Sequence, residues 1–153
     1  MSVLVFDGNS LSSDSQASNG QTLFPYPKIW TVDHRSLPKL GSAHTILAGA
    51  IGPLTAASKL REWVEGQMDP TKFPLSYVVN TDAQLVIVTK EHGLKRYTQS
   101  ATPHLHGFNK IAIGEGAPFA YGALHWNHTA EEAVLSAIAY SPHCNGEAVT
   151  LSL

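Results

Sequence analysis

Short apolar and β-branched segments bounded by Gly, Pro, Asn and Asp recur along the chain, a pattern that predicts β-strands. The turn signal Asp7-Gly8-Asn9 separates the first two segments, so the chain is predicted to open with a hairpin. A second hairpin is predicted around Thr81-Asp82-Ala83, and the segment at 95–98 is predicted to be an edge strand. The predicted strands are residues 2–6, 11–17, 28–32, 44–50, 75–80, 84–90, 95–98, 110–114 and 148–153.

Three other segments are predicted to be helices. The first begins at Pro53 and places apolar residues every three or four positions as far as Met68. The second covers 118–126, and the third starts at Thr129, whose Thr-Ala-Glu-Glu sequence has the form of a capping box, and runs to Tyr140. Surface loops are predicted at 33–43 and 100–108.

The order of these elements predicts an α+β fold. Strands come first, then one helix, more strands, two helices and a last strand. Two stacked antiparallel sheets covered by helices on their outer faces fit this order, and the pattern leaves an ordinary two-layer α+β fold open. No repeat or linker divides the chain, so one domain covering 1–153 is expected.

Composition narrows the class of protein. The chain has 153 residues, 14% of them charged, and a net charge of −2, which is typical of one soluble globular domain. A single cysteine, Cys144, excludes an internal disulfide. The mild acidity and the lack of three consecutive basic residues argue against nucleic acid and membrane partners. The first basic residue is Lys28, so no signal peptide is expected. The longest uncharged apolar run is 46–54, which is too short for a membrane span. A cytoplasmic location is therefore expected.

Three residues near the beginning of the chain are candidates for catalysis. If Met1 is removed, Ser2 carries a free α-amino group of pKa roughly 7.7–8.0, which can act as a base toward the serine hydroxyl. Asp14 and Lys28, buried together, could hold and polarise that hydroxyl. The alternatives are a tolerated serine at a frayed end and a surface ion pair of little energy.

Other candidates have an ordinary structural interpretation beside the functional one. Gly49 belongs to the segment 47–52, which joins a predicted strand to a helix, and it could leave its N–H free to line an oxyanion hole or could serve tight packing. The pairs His104-x-His106 and His125-x-x-His128 have spacings that metal ligands use, but no Cys or carboxylate clusters with them, so surface histidines and no metal are expected. Cys144 is expected to be a small buried residue, and the tryptophans Trp63 and Trp126 core or interface aromatics.

Several motifs in this order, covering over half of the chain, resemble the proteasome-like peptidases of the N-terminal-nucleophile hydrolase superfamily. The resemblance is to bacterial HslV and especially to short versions encoded by bacteriophages. The motifs are Met1-Ser2-Val3-Leu4-Val5-Phe6-Asp7-Gly8, Ser12-Ser13-Asp14-Ser15-Gln16, Pro27-Lys28-Ile29, Leu47-Ala48-Gly49, Ala112-Ile113-Gly114-Glu115-Gly116-Ala117-Pro118-Phe119-Ala120, Thr129-Ala130-Glu131-Glu132-Ala133-Val134 and the last strand.

The resemblance implies a four-layer αββα sandwich of two antiparallel sheets flanked by helices. It implies peptide-bond hydrolysis with Ser2 as nucleophile and base after removal of Met1, oriented by Asp14 and Lys28, with the Gly49 N–H stabilising the oxyanion. It also implies a homo-oligomer acting on a peptide or protein substrate, with no cofactor.

Three features of the sequence depart from the family pattern. The family usually has Gly-Ser-Gly where this chain has Glu115 between two glycines, and an Asp followed three residues on by Ser or Thr where this chain has Ser141 and Cys144. The family nucleophile is usually threonine. The substitutions at Glu115, Ser141 and Cys144 favour an alternative: a catalytically inactive proteasome-like module that serves as an oligomeric structural or interaction protein, for example of a phage.

Overall fold

The computed structural model describes residues 2–19 and 21–153, which form two compact units. The first contains the residues up to Ile29 and Phe108–Ser152; the second contains Trp30–Gly107 with Leu153. The elements in chain order are β1 (Leu4–Phe6), β2 (Ser10–Asp14), β3 (Gln16–Asn19), β4 (Thr22–Pro25), β5 (Ile29–Val32), β6 (Ile46–Ile51), α1 (Leu54–Glu65), α2 (Leu75–Val78), β7 (Gln84–Thr89), β8 (Gly93–Tyr97), β9 (His104–Gly107), β10 (Ile111–Ile113), α3 (Ala117–His125), α4 (Ala130–Tyr140) and β11 (Ala148–Ser152).

In the first unit, an antiparallel sheet in the order β10-β1-β2-β11 packs against α3 and α4. Val5 lies in β1 and Val3 directly precedes that strand. Both pack in the same core as Val134 of α4, because alternate residues of an extended segment share a face. The predicted capping box of α4 is confirmed, since the side chains and backbones of Thr129 and Glu132 bond reciprocally. The strands β3 and β4 form a separate two-stranded sheet.

In the second unit, a five-stranded sheet in the order β5-β6-β7-β8-β9 packs against α1 through β6 and β7. Leu60, Trp63 and Val64 recur at helical spacing and form the buried face of α1. The Trp63 ring meets the rings of Phe73 and Tyr97 edge-on, with centroids 5.0 and 5.5 Å away.

The α+β class with antiparallel sheets and helices is confirmed, and most predicted strands and helices are found within a few residues of their expected ends. The helix that begins after Pro53 is shorter than predicted. It ends at Glu65, and Gln67 and Met68 have φ of +66° and +53°, so Met68 reaches the core from outside the helix.

The predicted strand at 75–80 is wrong, and so is the hairpin it was expected to form. Residues 75–78 form the short helix α2, which Pro74 precedes, and Asn80 then turns the chain with φ +61°. The apolar run Leu75 to Val79 cannot distinguish a short helix from a strand by periodicity, since it is too short for either period to appear.

Three further predictions are corrected. The segment predicted at 95–98 lies in β8, which is interior between β7 and β9 and not an edge. The predicted loop at 100–108 contains the strand β9, and the predicted single strand 11–17 is divided at Ser15 into β2 and β3. These polar segments contain few of the β-branched and aromatic residues that favour strands, so they form strands only through pairing with a neighbouring strand.

No helix in the described part of the chain is long and apolar enough to cross a bilayer.

Candidate active site

Asp14 and Lys28 form a buried ion pair at the end of β2. Asp14 is 0% exposed and Lys28, which directly precedes β5, is 4% exposed. The Lys28 Nζ donates to Asp14 Oδ2 over 2.8 Å, and the Val3 N–H donates to Asp14 Oδ1 over 3.0 Å. A longer bond of 3.4 Å comes from the Asn145 N–H. Ionised hydrogen-bond donors and acceptors of this kind form the stronger bonds in proteins.

Burial lowers the pKa of Lys28 below its ordinary value of 10.5, and the nearby charge and hydrogen bond of Asp14 oppose this. Desolvation is the larger cause, since it disfavours the ammonium form.

Ser2 lies one residue before the amide that Asp14 holds, and it is 6% exposed. Its carbonyl oxygen accepts a bond of 3.1 Å from the Gly116 N–H, and the Val3 carbonyl accepts one of 3.4 Å from Asp14 N–H. The backbone at Ser2 and Val3 is therefore fixed from β2 and from the start of α3. Met1, on whose removal the predicted chemistry depends, lies outside the described residues.

Glu115 and His143 lie close together across two loops of the first unit. Glu115 Oε2 lies 3.4 Å from His143 Nδ1, and the two side chains are 42% and 51% exposed. Glu115 precedes Gly116, whose N–H bonds to the Ser2 carbonyl. Glu115 thus places a carboxylate where the family that the sequence resembles usually has a serine.

Cys144 is fully buried. Burial, with the Asp14 charge as the next cause, raises the pKa of its thiol above the ordinary value of 9.0. The thiol therefore stays protonated at neutral pH, which is the opposite of what a nucleophilic cysteine needs. Ser141, at the end of α4, accepts a bond of 3.2 Å from the His143 N–H through its Oγ.

Close packing near Cys144 explains the glycine at 116. A methyl group added at Gly116 would lie 2.5 Å from the Cys144 Sγ and 2.8 Å from the Val3 Cβ. Sequence reasoning missed the hydrogen bonds that the backbone amides of Val3, Gly116 and Asn145 donate in this region, because backbone groups have no side-chain signature. The glycine between Glu115 and Ala117 was a signal for close packing.

Gly49 belongs to the second unit, in the middle of β6. It stands opposite Val86 of β7, and all six residues of β6 are buried. Ser2, Asp14, Lys28, Glu115, Ser141 and Cys144 all belong to the first unit.

The histidine pairs show no metal centre. Within residues 2–19 and 21–153, no group of three or more His, Cys, Asp or Glu side chains is arranged to hold a metal ion. His104 and His106 lie on β9, and His128 Nδ1 is 3.2 Å from Glu132 Oε2 next to the capping box.

Comparison with solved structures relates the whole chain to proteasome-like folds. BPH from Thiobacillus denitrificans, solved in complex with epoxomicin, matches with a TM-score of 0.71 at 13% identity, covering 100% of this chain and 98% of that chain. HslV from Trypanosoma brucei matches with a TM-score of 0.61 at 14% identity, covering 98% of this chain and 97% of that chain. An Anbu mutant from Hyphomicrobium sp. strain MC1 matches with a TM-score of 0.72 at 10% identity, covering 100% of this chain and 82% of that chain.

No family model matches the sequence, and no curated protein matches it. At identities of 10–14% the structural likeness establishes the fold alone, which is that of HslV- and proteasome-type N-terminal-nucleophile hydrolases. The expected closeness to bacteriophage-encoded versions stays a prediction.

Proposed function

We propose that this chain is a proteasome-like peptidase that uses Ser2 as its nucleophile once Met1 is removed. The observation that supports this most is the buried Asp14 carboxylate, which bonds Lys28 at 2.8 Å and the amide directly after Ser2 at 3.0 Å. Burying an ion pair costs free energy, so its presence beside a hydroxyl residue favours a chemical role.

The proposed reaction starts with transfer of the Ser2 hydroxyl proton to the Ser2 α-amine. The Ser2 Oγ attacks the carbonyl carbon of a peptide, and the leaving amine takes the proton as the acyl–oxygen ester forms. Water then hydrolyses the ester and regenerates the hydroxyl. Asp14 holds Lys28, which polarises the hydroxyl; the role of Gly49 remains a prediction from the resemblance.

Intact-mass measurement and electrophile labelling test the proposal together. The expected result is loss of one methionine from the native protein and one covalent adduct with a peptide epoxyketone. The adduct should disappear in Ser2→Ala and persist in the matched control Ser36→Ala, an exposed serine in the second unit. Complete retention of Met1 would contradict the proposal, because an amide nitrogen at Ser2 is not a base.

A second candidate function is an inactive proteasome-like module used for assembly or interaction, for instance in a phage. Two points favour it: Ser2 is only 6% exposed, and Glu115 stands where the resemblance implies a serine in most members of the family. Retained Met1 with no labelling supports this candidate, whereas a Ser2-dependent adduct excludes it.

Self-association accompanies either candidate as a proposal, and a peptide or protein substrate accompanies the peptidase. The helices α3 and α4, with the residue that follows α3, expose several large apolar side chains, which are Phe119, Tyr121, Trp126, Leu135 and Tyr140. Exposed apolar residues grouped on neighbouring elements are typical of interfaces. Light scattering after gel filtration should give a mass of several chains, and Trp126→Ser should reduce it; a monomeric mass would contradict the proposal.

A further inference from the structure

Arg96 lies in the second unit with its guanidinium incompletely bonded. Its Nε is buried and has no hydrogen-bond partner among the described residues. An unbonded buried donor on a charged group costs free energy, so such an atom calls for a ligand or another explanation. The sequence analysis did not single out Arg96, and the proposed peptidase chemistry does not use it.

Two histidines lie near Arg96 on the neighbouring strand β9. Arg96 stands opposite His104 in the β8–β9 register, and the register shifts beside it so that His106 becomes the extra residue of a β-bulge. The His106 Nε2 is also buried without a partner among the described residues. Burial first, and then the Arg96 and His104 charges, lower the pKa of His106.

Beside Arg96 there is a cavity of about 320 Å³, lined mainly by polar residues. Gln84 and Thr98, which share its lining with Arg96, come from β7 and the end of β8. The Gln84 Oε1 is buried and unbonded within the described part of the chain, and a half-turn of its amide would present two N–H donors instead. Asp82 is the acidic residue of the lining; it is exposed, and no ion pair joins it to Arg96 in the described structure.

We propose that this cavity binds an oxyanion, a carboxylate or phosphate group of a small ligand, through Arg96, Gln84 and Thr98. The Arg96 guanidinium donates to the anion, and the Gln84 amide and the Thr98 hydroxyl complete its hydrogen bonds. Arginine suits such a site because its planar donors match carboxylate and phosphate oxygens. The proposal does not depend on peptidase activity.

The test is a titration of the full-length protein, labelled with ¹⁵N-arginine, against inorganic phosphate and separately against acetate at constant ionic strength. The Arg96 Nε–H signal, assigned by its loss in Arg96→Gln, should shift and saturate with at least one anion. Saturation by phosphate alone indicates a phosphate-bearing ligand, and saturation by acetate indicates a carboxylate.

Calorimetry on variants completes the test. Affinity for the anion should fall at least tenfold in Arg96→Gln and in Gln84→Leu, each checked for native circular dichroism. It should change less than twofold in the matched control Lys95→Gln, which removes one positive charge from the adjacent position of β8. If neither anion gives a saturable shift, or if all three variants bind alike, the proposal is wrong.

Discussion

Asp14 connects three segments that are distant in sequence. Its carboxylate accepts bonds from Val3, Lys28 and Asn145, so the start of β1, the residue before β5 and the loop before β11 all meet at one side chain. Neutralising this group would leave the Lys28 ammonium buried beside an uncharged amide.

We therefore expect Asp14→Asn to lower the free energy of unfolding by about 3–5 kcal/mol, the usual cost of breaking a buried ion pair. The double variant Asp14→Asn, Lys28→Met should recover part of this loss because no charge remains buried. Urea denaturation of the single and double variants measures both values. Equal losses in the two would show that the charge of Lys28 is not the cause.

Two glycines of the first unit make a matched pair for a packing test. Gly116→Ala would place a methyl group 2.5 Å from Cys144 Sγ and is expected to destabilise the protein by about 1–3 kcal/mol through overpacking. Gly122→Ala, inside α3 with nothing within 4 Å of the new methyl, should stabilise it by about 0.5–1 kcal/mol. Thermal and urea unfolding measure the opposite signs, and destabilisation by both changes would contradict the argument.

At the scale of elements, α4 illustrates how a local signal and a distant contact agree. Thr129 Oγ1 accepts from the Glu132 N–H at 3.2 Å, while Asp7 Oδ2 accepts from the Ala130 N–H at 2.8 Å. Both bonds satisfy amides that the first turn of a helix leaves without partners. The opening hairpin turn and the start of α4 are thereby joined.

Removing the cap should be measurable. Thr129→Ala is expected to lower the free energy of unfolding by about 1 kcal/mol, because one amide of the first turn loses its acceptor. Thr55→Ala, an exposed threonine in the first turn of α1, serves as the control and should cause no comparable loss. Urea denaturation compares them, and similar losses would argue against a specific capping effect.

The same helix end predicts a pH dependence. The Thr129 backbone N–H, followed by His128, lowers the pKa of Glu132 below its ordinary 4.5. A carboxyl group whose pKa is lower in the folded state stabilises the protein above 4.5, and this contribution disappears as pH falls through the folded pKa. The stability difference between the native protein and Glu132→Gln should therefore shrink on acidification below 4.5; a constant difference would contradict it.

At the scale of the whole molecule, the fold persists with few residues in common with its structural neighbours. Identities of 10–14% accompany TM-scores of 0.61–0.72 over almost the entire chain. Layered sheets and helices tolerate such divergence because many apolar combinations fill a core of given volume and pattern. The charged and polar residues of a site lack this freedom, so they decide function.

The overall charge predicts where the protein is least soluble. The sequence gives a net charge of −2 and an isoelectric point near 6.4. The lowered pKa of His106 makes the folded chain slightly less positive around that pH, so its isoelectric point should lie at or just below 6.4. Electrophoretic mobility should change sign there and solubility pass through a minimum. A crossing far from 6.4 would contradict this charge balance.

Much of the fold was predictable because its signals are local. The Asp7-Gly8 turn, the capping box at Thr129 and the helical spacing of α1 each act within a few residues, and each is found in the structure. The helix at 75–78 and the strand at 104–107 were missed because these short segments carry no clear period.

The sequence alone determined the α+β class, the candidate residues Ser2, Asp14 and Lys28, and the start of α4, since residue type and spacing are enough for these. Only the tertiary structure decided that Asp14 and Lys28 form a buried pair and that Arg96 is left with an unbonded Nε. It also decided that Cys144 leaves no room for a side chain at Gly116. Burial and partnership depend on which strands pair and in what register, and those choices are made by the whole chain together.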